Sequence, residues 1–273
     1  MKFSVLTTEK SQQCRDRNNV HGEIPCSIHR VVILPTHTTA YFHRVADLIA
    51  KMSGHIVLKS AMSEHSIRQS AMPGLIAAPF FFVLVLVFGA MEPGYSHVSR
   101  AISILGGAPG VRGLAFNVGV IATGFLLVAF AFGLSQRLPR GVATQVGTGM
   151  LVIGGLGLAG SGYFHCSEGC RNIFAAPDAV GWLHGLSSLA AGIGTGLAPL
   201  FIWGAMRRSA QWNDLAIPTL FAGILANMLG TAFWFTNLTG RGPTAAEGLF
   251  ERFALLFAFI WVFAAAARLR KLA

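Results

Sequence analysis

Residues 113–134 read G-L-A-F-N-V-G-V-I-A-T-G-F-L-L-V-A-F-A-F-G-L, an apolar run without a charged side chain. About 20 such residues, each rising ~1.5 Å along a helix, cross the hydrocarbon core of a bilayer. A backbone N–H or C=O in lipid has no water to bond, so a run of this length must pair its own groups as a helix. Five more runs of the same kind follow or precede it, at roughly 74–91, 142–163, 181–206, 215–236 and 250–267. The fold expected is an all-α integral membrane protein, a six-helix transmembrane bundle. Pro79 and Pro218 predict kinks in the first and fifth spans.

The whole chain agrees with this reading. Apolar residues make up 53% and charged residues 12%, and the mean hydropathy is +0.58, where a soluble domain carries about 25% charge. The net charge of +10 raises the question of nucleic acid. Most of the basic residues flank apolar runs, however, where membrane topology accounts for them, and no nucleic-acid partner is expected. Arg137 and Arg140 share one short link, Arg207 and Arg208 another, and Arg268, Arg270 and Lys271 follow the last run. The positive-inside rule then predicts a multi-pass protein of the cell membrane, N-in/C-in, with both termini cytoplasmic. Links 92–112, 164–180 and 237–249 face outward, and the lipid bilayer is the first partner.

Residues 1–70 show no sustained period and are expected to form a polar, disordered tail ahead of a six-span domain over 71–273. Met62 opens M-S-E-H-S-I-R-Q-S, a polar lead of the kind that precedes a first span, which makes 1–61 a candidate extension from a mis-called start. Cys14, His21, Cys26 and His29 lie in this tail at spacings that match no standard zinc pattern.

The residues able to do chemistry gather in the outward links, above all in Y-F-H-C-S-E-G-C-R-N-I-F-A-A-P-D-A-V-G-W-L-H-G-L-S-S at 163–188. His184 falls about one turn inside the fourth span, with Ser187 and Ser188 at i+3 and i+4. An ionisable group within a span is costly and marks a functional candidate; its plainer role is a hydrogen bond between helices. Asp178 stands where a helix cap would. Adding His165 and His97 from the links gives the candidate catalytic set His97, His165, Asp178, His184, Ser187 and Ser188, which would share acid–base duty or hold a metal. Cys166 and Cys170 on the oxidising side fit a disulfide, or a metal site with His165. The residues assign no cofactor and leave a metal open.

Two classes of function follow: an enzyme acting on a lipid or amphiphile at the outer face, or a non-catalytic binding, sensor or accessory protein. A small-solute transporter is the third reading. Around the set, Glu251 and Arg252 read as an interfacial anchor or a pair with a neighbouring link. Asn117 and Asn227 read as glue between helices. Val98, Ile102 and Leu105 suggest an interfacial helix. Gly185, Ser188, Gly192 and Gly196 share one helical face, and glycine is dense in the third span, so these two spans are expected to form a tight hairpin.

Several of these stretches resemble a bacterial six-span family known as domain of unknown function 998. They are G-Y-S-H-V-S-R-A-I-S-I-L-G-G-A-P-G (94–110), F-N-V-G-V-I-A-T-G (116–124), F-H-C-S-E-G-C (164–170), L-H-G-L-S-S (183–188) and G-L-F-E-R-F (248–253). The resemblance covers 74–267 and implies the six-span fold; it implies no reaction. The chain departs from the family pattern at Ile104, His165 and Ser167.

Overall fold

A computed structural model of the chain describes residues 64–165, 178–239 and 246–272, all within one unit, Met62–Ala273. The expected tail up to residue 63 and the pairing of Cys166 with Cys170 lie outside the described residues. Six long helices make up the rest: α1 Glu64–Met91, α2 Val111–Ser135, α3 Val142–Tyr163, α4 Ala179–Met206, α5 Asn213–Thr239 and α6 Glu247–Lys271. All six are long and apolar enough to cross a membrane, and no strand occurs among the described residues. The lead before the first apolar run, from Glu64, is already helical. The helices continue through Pro79 and Pro218, and through Pro73 and Pro199 as well.

The helices stand in a ring in sequence order, each against the one before and the one after, and α6 returns to α1. Phe81 of α1 stacks on Phe259 of α6 at 5.0 Å, and Phe82 meets the same ring edge-on, which closes the ring. Outward faces stay apolar. On α5, Ile217, Phe221, Ile224 and Met228 recur every three or four residues and are exposed, a stripe that fits acyl chains rather than water. Three buried hydroxyls are satisfied inside their own helices: Thr123, Thr148 and Thr195 donate to carbonyls one turn back, at Gly119, Thr144 and Ala191.

The α3–α4 interface is the most extensive in the bundle, as the glycine density predicts. The faces are not those expected. Gly192 and Gly196 look toward α5, where Trp234 lies beside the first and Asn227 donates to the carbonyl of the second at 2.7 Å. The tight seam uses Gly154 and Gly157 of α3 against Ala191, Gly194 and Thr195 of α4. Gly155 and Gly162 turn the other way, against Gly124, Asn117 and Ile121 of α2. Adjacent glycines thus serve opposite neighbours, because one helical step rotates the chain by about 100°.

The stretch from Val98 to Leu105 is no interfacial helix. Ile102–Gly107 is a short 3₁₀ helix of two turns with Ile102 and Leu105 buried, so the first link plugs the end of the ring. Gly110 ends it at φ 73°, a left-handed conformation that glycine adopts without strain.

The seam makes a paired prediction. A methyl on Gly154 would lie 2.7 Å from the Thr195 backbone nitrogen, whereas one on Gly149 meets nothing within 4 Å. Gly154→Ala should therefore cost about 1–3 kcal/mol of stability. Gly149→Ala should be neutral or gain up to about 1 kcal/mol, from helix propensity alone. Thermal unfolding of both variants in detergent measures this, and equal behaviour would contradict the seam.

Candidate functional site

The C-terminal end of α3 and the N-terminal end of α4 meet side by side, and His184 bridges them. Its Nδ1 lies 2.9 Å from the Ser161 carbonyl and 2.7 Å from the Phe164 carbonyl. Carbonyls only accept, so Nδ1 carries the proton and donates to both. In the neutral ring the other nitrogen, Nε2, is left as a lone pair. Ser188, one turn on, places its hydroxyl 3.4 Å from Nε2. The last carbonyls of α3, which no helical N–H can reach, thus fix the tautomer of a buried imidazole.

His184 and Ser188 line a cavity of about 100 Å³ inside the ring. Its walls are mostly apolar, with Phe81, Val120, Leu158 and Leu255 among them; Asn117 and Glu251 add polar groups. Glu251 belongs to the first turns of α6, and its Oε2 accepts from the Ile102 backbone N–H at 2.6 Å. That bond ties the 3₁₀ helix of the first link to α6. Asn117 donates to the Gly106 carbonyl at 2.9 Å and so ties the same short helix to α2.

Arg252, the next residue, points out of the cavity. It donates to the carbonyls of Arg100 and Gly248 at 2.9 and 2.8 Å, and to the Tyr95 hydroxyl. The Tyr95 hydroxyl donates in turn to the Ala101 carbonyl at 3.1 Å. Burial pushes this phenol up to about 12, against the pull of the Arg252 charge, so it stays a neutral donor. His97 packs edge-on to Tyr95 at 5.2 Å. Burial holds its imidazole below the ordinary histidine range, and the nearby Arg252 charge adds to this.

The six expected site residues therefore divide. His184 and Ser188 come together at the cavity. Ser187 turns to the α3 seam, where it packs on Gly160. Asp178 caps α4 by accepting from Gly181 N at 2.8 Å. His165 lines a separate crevice of about 300 Å³ with Gly106, Gly110, Leu114 and Asn117, so that Asn117 borders both spaces. His97 belongs to the Tyr95–Arg252 cluster. Among the described residues no three His, Cys, Asp or Glu side chains lie close enough to hold a metal ion.

Of the two readings of Glu251 and Arg252, the bond to a neighbouring link is the one found; that Glu251 also lines the cavity was not expected. The signal was available: in G-L-F-E-R-F the acid and the arginine are neighbours and so point about 100° apart, and only one of them can face the membrane surface. Arg252 takes the outer direction. Arg252→Lys keeps the charge but loses the planar fork that reaches several acceptors at once. It should cost about 1–3 kcal/mol, whereas Tyr95→Phe, losing one hydroxyl, should cost about 1 kcal/mol. Thermal midpoints in detergent check the order.

The family model for proteins of unknown function DUF998 matches residues 75–268 of this chain, from within α1 to within α6. No curated protein and no solved structure matches it.

Proposed function

The chain belongs to DUF998, a family of unknown function, and we propose that it is a membrane-embedded enzyme acting on a lipid or other amphiphile. The observation that carries this reading is the His184 ring, held by two carbonyls on one side and turned to the Ser188 hydroxyl on the other, at the wall of an apolar cavity. A base oriented by a third group and placed beside a hydroxyl is the arrangement that activates a serine nucleophile. In this reading Ser188 Oγ attacks an ester of the amphiphile while His184 Nε2 takes its proton, then returns it to the leaving alcohol. The imidazolium formed in between keeps its Nδ1–H on the Ser161 and Phe164 carbonyls. The reacting end of the amphiphile sits in the cavity, among Phe81, Val120 and Leu158. Asp178 fixes the first turn of α4 and hence His184; His165 stands at the crevice through which a head group would enter.

A second reading keeps the ligand and drops the reaction. The 3.4 Å between Ser188 and His184 exceeds the ~2.8 Å of a strong hydroxyl bond, which favours a non-catalytic binding or sensor site. Labelling separates the two. An alkyl fluorophosphonate should modify the protein covalently at Ser188, with Ser188→Ala unlabelled and His184→Gln labelled at least tenfold more slowly, the low end of general-base contributions of about 10²–10⁴ being allowed for. Absence of labelling in a folded wild-type protein would remove the enzyme and leave the binding site.

We further propose that the end carrying Arg137, Arg207 and Arg268 is cytoplasmic and the cavity end extracytoplasmic. Trp212 donates to the Arg137 carbonyl and Arg268 pairs with Asp214 at 3.2 Å, so these basic links share one end. Short positive links are retained in the cytoplasm. Reporter fusions after Arg140 and Arg208 should read cytoplasmic, and a fusion after Gly107 external; an inverted result for any of them breaks this orientation.

A further inference from the structure

We infer that the cavity takes a cationic head group, a quaternary ammonium or protonated amine, held between Glu251 and a wall of aromatic rings. This deepens the reading of the cavity as an amphiphile site and rests on it. The rings are Phe81, Phe116, Phe233 and Trp234, contributed by α1, α2 and α5. Glu251 is the carboxylate among the lining residues, and no Lys or Arg lines the cavity with it. The ion pairs of the described residues join Arg112 to Glu92 and Arg268 to Asp214, and Glu251 belongs to neither. Arg252, its neighbour in sequence, spends its guanidinium on Tyr95, Arg100 and Gly248 instead.

A carboxylate in an apolar site calls for a partner, since a charge out of water is costly unless compensated. Its bond to the Ile102 N–H occupies one side of it. Aromatic faces carry negative potential, and a cation over several of them is attracted without needing a hydrogen bond. An anionic head group would meet Glu251 with no cation to offset it. Size points the same way: an apolar cavity of about 150 Å³ admits benzene, so about 100 Å³ suits a trimethylammonium group with its first methylene.

The test is a binding titration of the full chain in maltoside detergent, with hexyltrimethylammonium, tetramethylammonium and the uncharged isostere of the first in which carbon replaces nitrogen. Hexyltrimethylammonium should bind at least tenfold more tightly than its isostere. Glu251→Gln, which keeps an acceptor for Ile102, should erase most of that preference. Phe233→Leu should weaken the cation by about three- to thirtyfold and leave the isostere unchanged. Equal binding of cation and isostere to the wild-type protein would overturn the inference, as would a preference that survives both substitutions. Should Glu251→Gln fail to fold, Phe233→Leu decides alone by the same criterion. Tetramethylammonium binding as tightly as the hexyl compound would support the cation site and sink the amphiphile. Fluorophosphonate labelling is read separately, so loss of the enzyme reading and loss of the cation site are distinguishable.

Discussion

The distance between α3 and α4 controls the site, and glycine sets that distance. With Gly154 and Gly157 on one side and Gly194 and Ala191 on the other, the two backbones approach until a single methyl would collide with main-chain atoms. Small residues have this effect in lipid, where no hydrophobic force drives helices together and close packing has to supply the attraction. The approach brings the last carbonyls of α3 within hydrogen-bonding reach of an imidazole on α4. A bulkier seam would move the helices apart and leave both the carbonyls and the ring unpaired in a medium without water. The protonated nitrogen of His184, and hence the free one, follows from glycines a turn and more away along the seam.

A second constraint works at α6. Glu251 and Arg252 grip the same link from two sides: the acid holds the Ile102 N–H from inside the ring, and the arginine holds Arg100 and Tyr95 from outside. The link is short of regular structure of its own, one short 3₁₀ helix, and owes its position to these bonds and to Asn117. It closes the end of the cavity. Packing on the α3–α4 seam and polar bonding at α6 are therefore separate devices acting on one space.

Composition alone carried the architecture, because twenty uncharged residues have few alternatives in a membrane protein. The faces were harder to read. A helix surrounded by lipid on one side and protein on the other is apolar all round, so the period that marks a buried face in water is absent. Gly192 and Gly196 shared a helical face with Gly185, yet the sequence could not say whether that face met α3 or α5. The histidines invited grouping because they all fall near one end of the spans, but they join different neighbours: His97 packs on Tyr95 near α6 while His184 lies between α3 and α4. Ser187 and Ser188 were indistinguishable by spacing, and a rotation of one residue sends the first to the seam and the second to the cavity.

The sequential order of the ring has a consequence for how the protein is made. Each helix rests on the one synthesised just before it, so most of the bundle assembles from local contacts, which form quickly. The exception is the return of α6 to α1, a contact between spans separated by most of the chain. Until α6 leaves the ribosome, Phe81 has no partner in Phe259, the first link has no carboxylate to hold it, and the cavity has a missing wall. With five spans inserted the bundle is thus an open arc whose cavity-lining faces are turned to lipid. Ring closure completes the cavity, and it rests on the helix contact of longest separation along the chain.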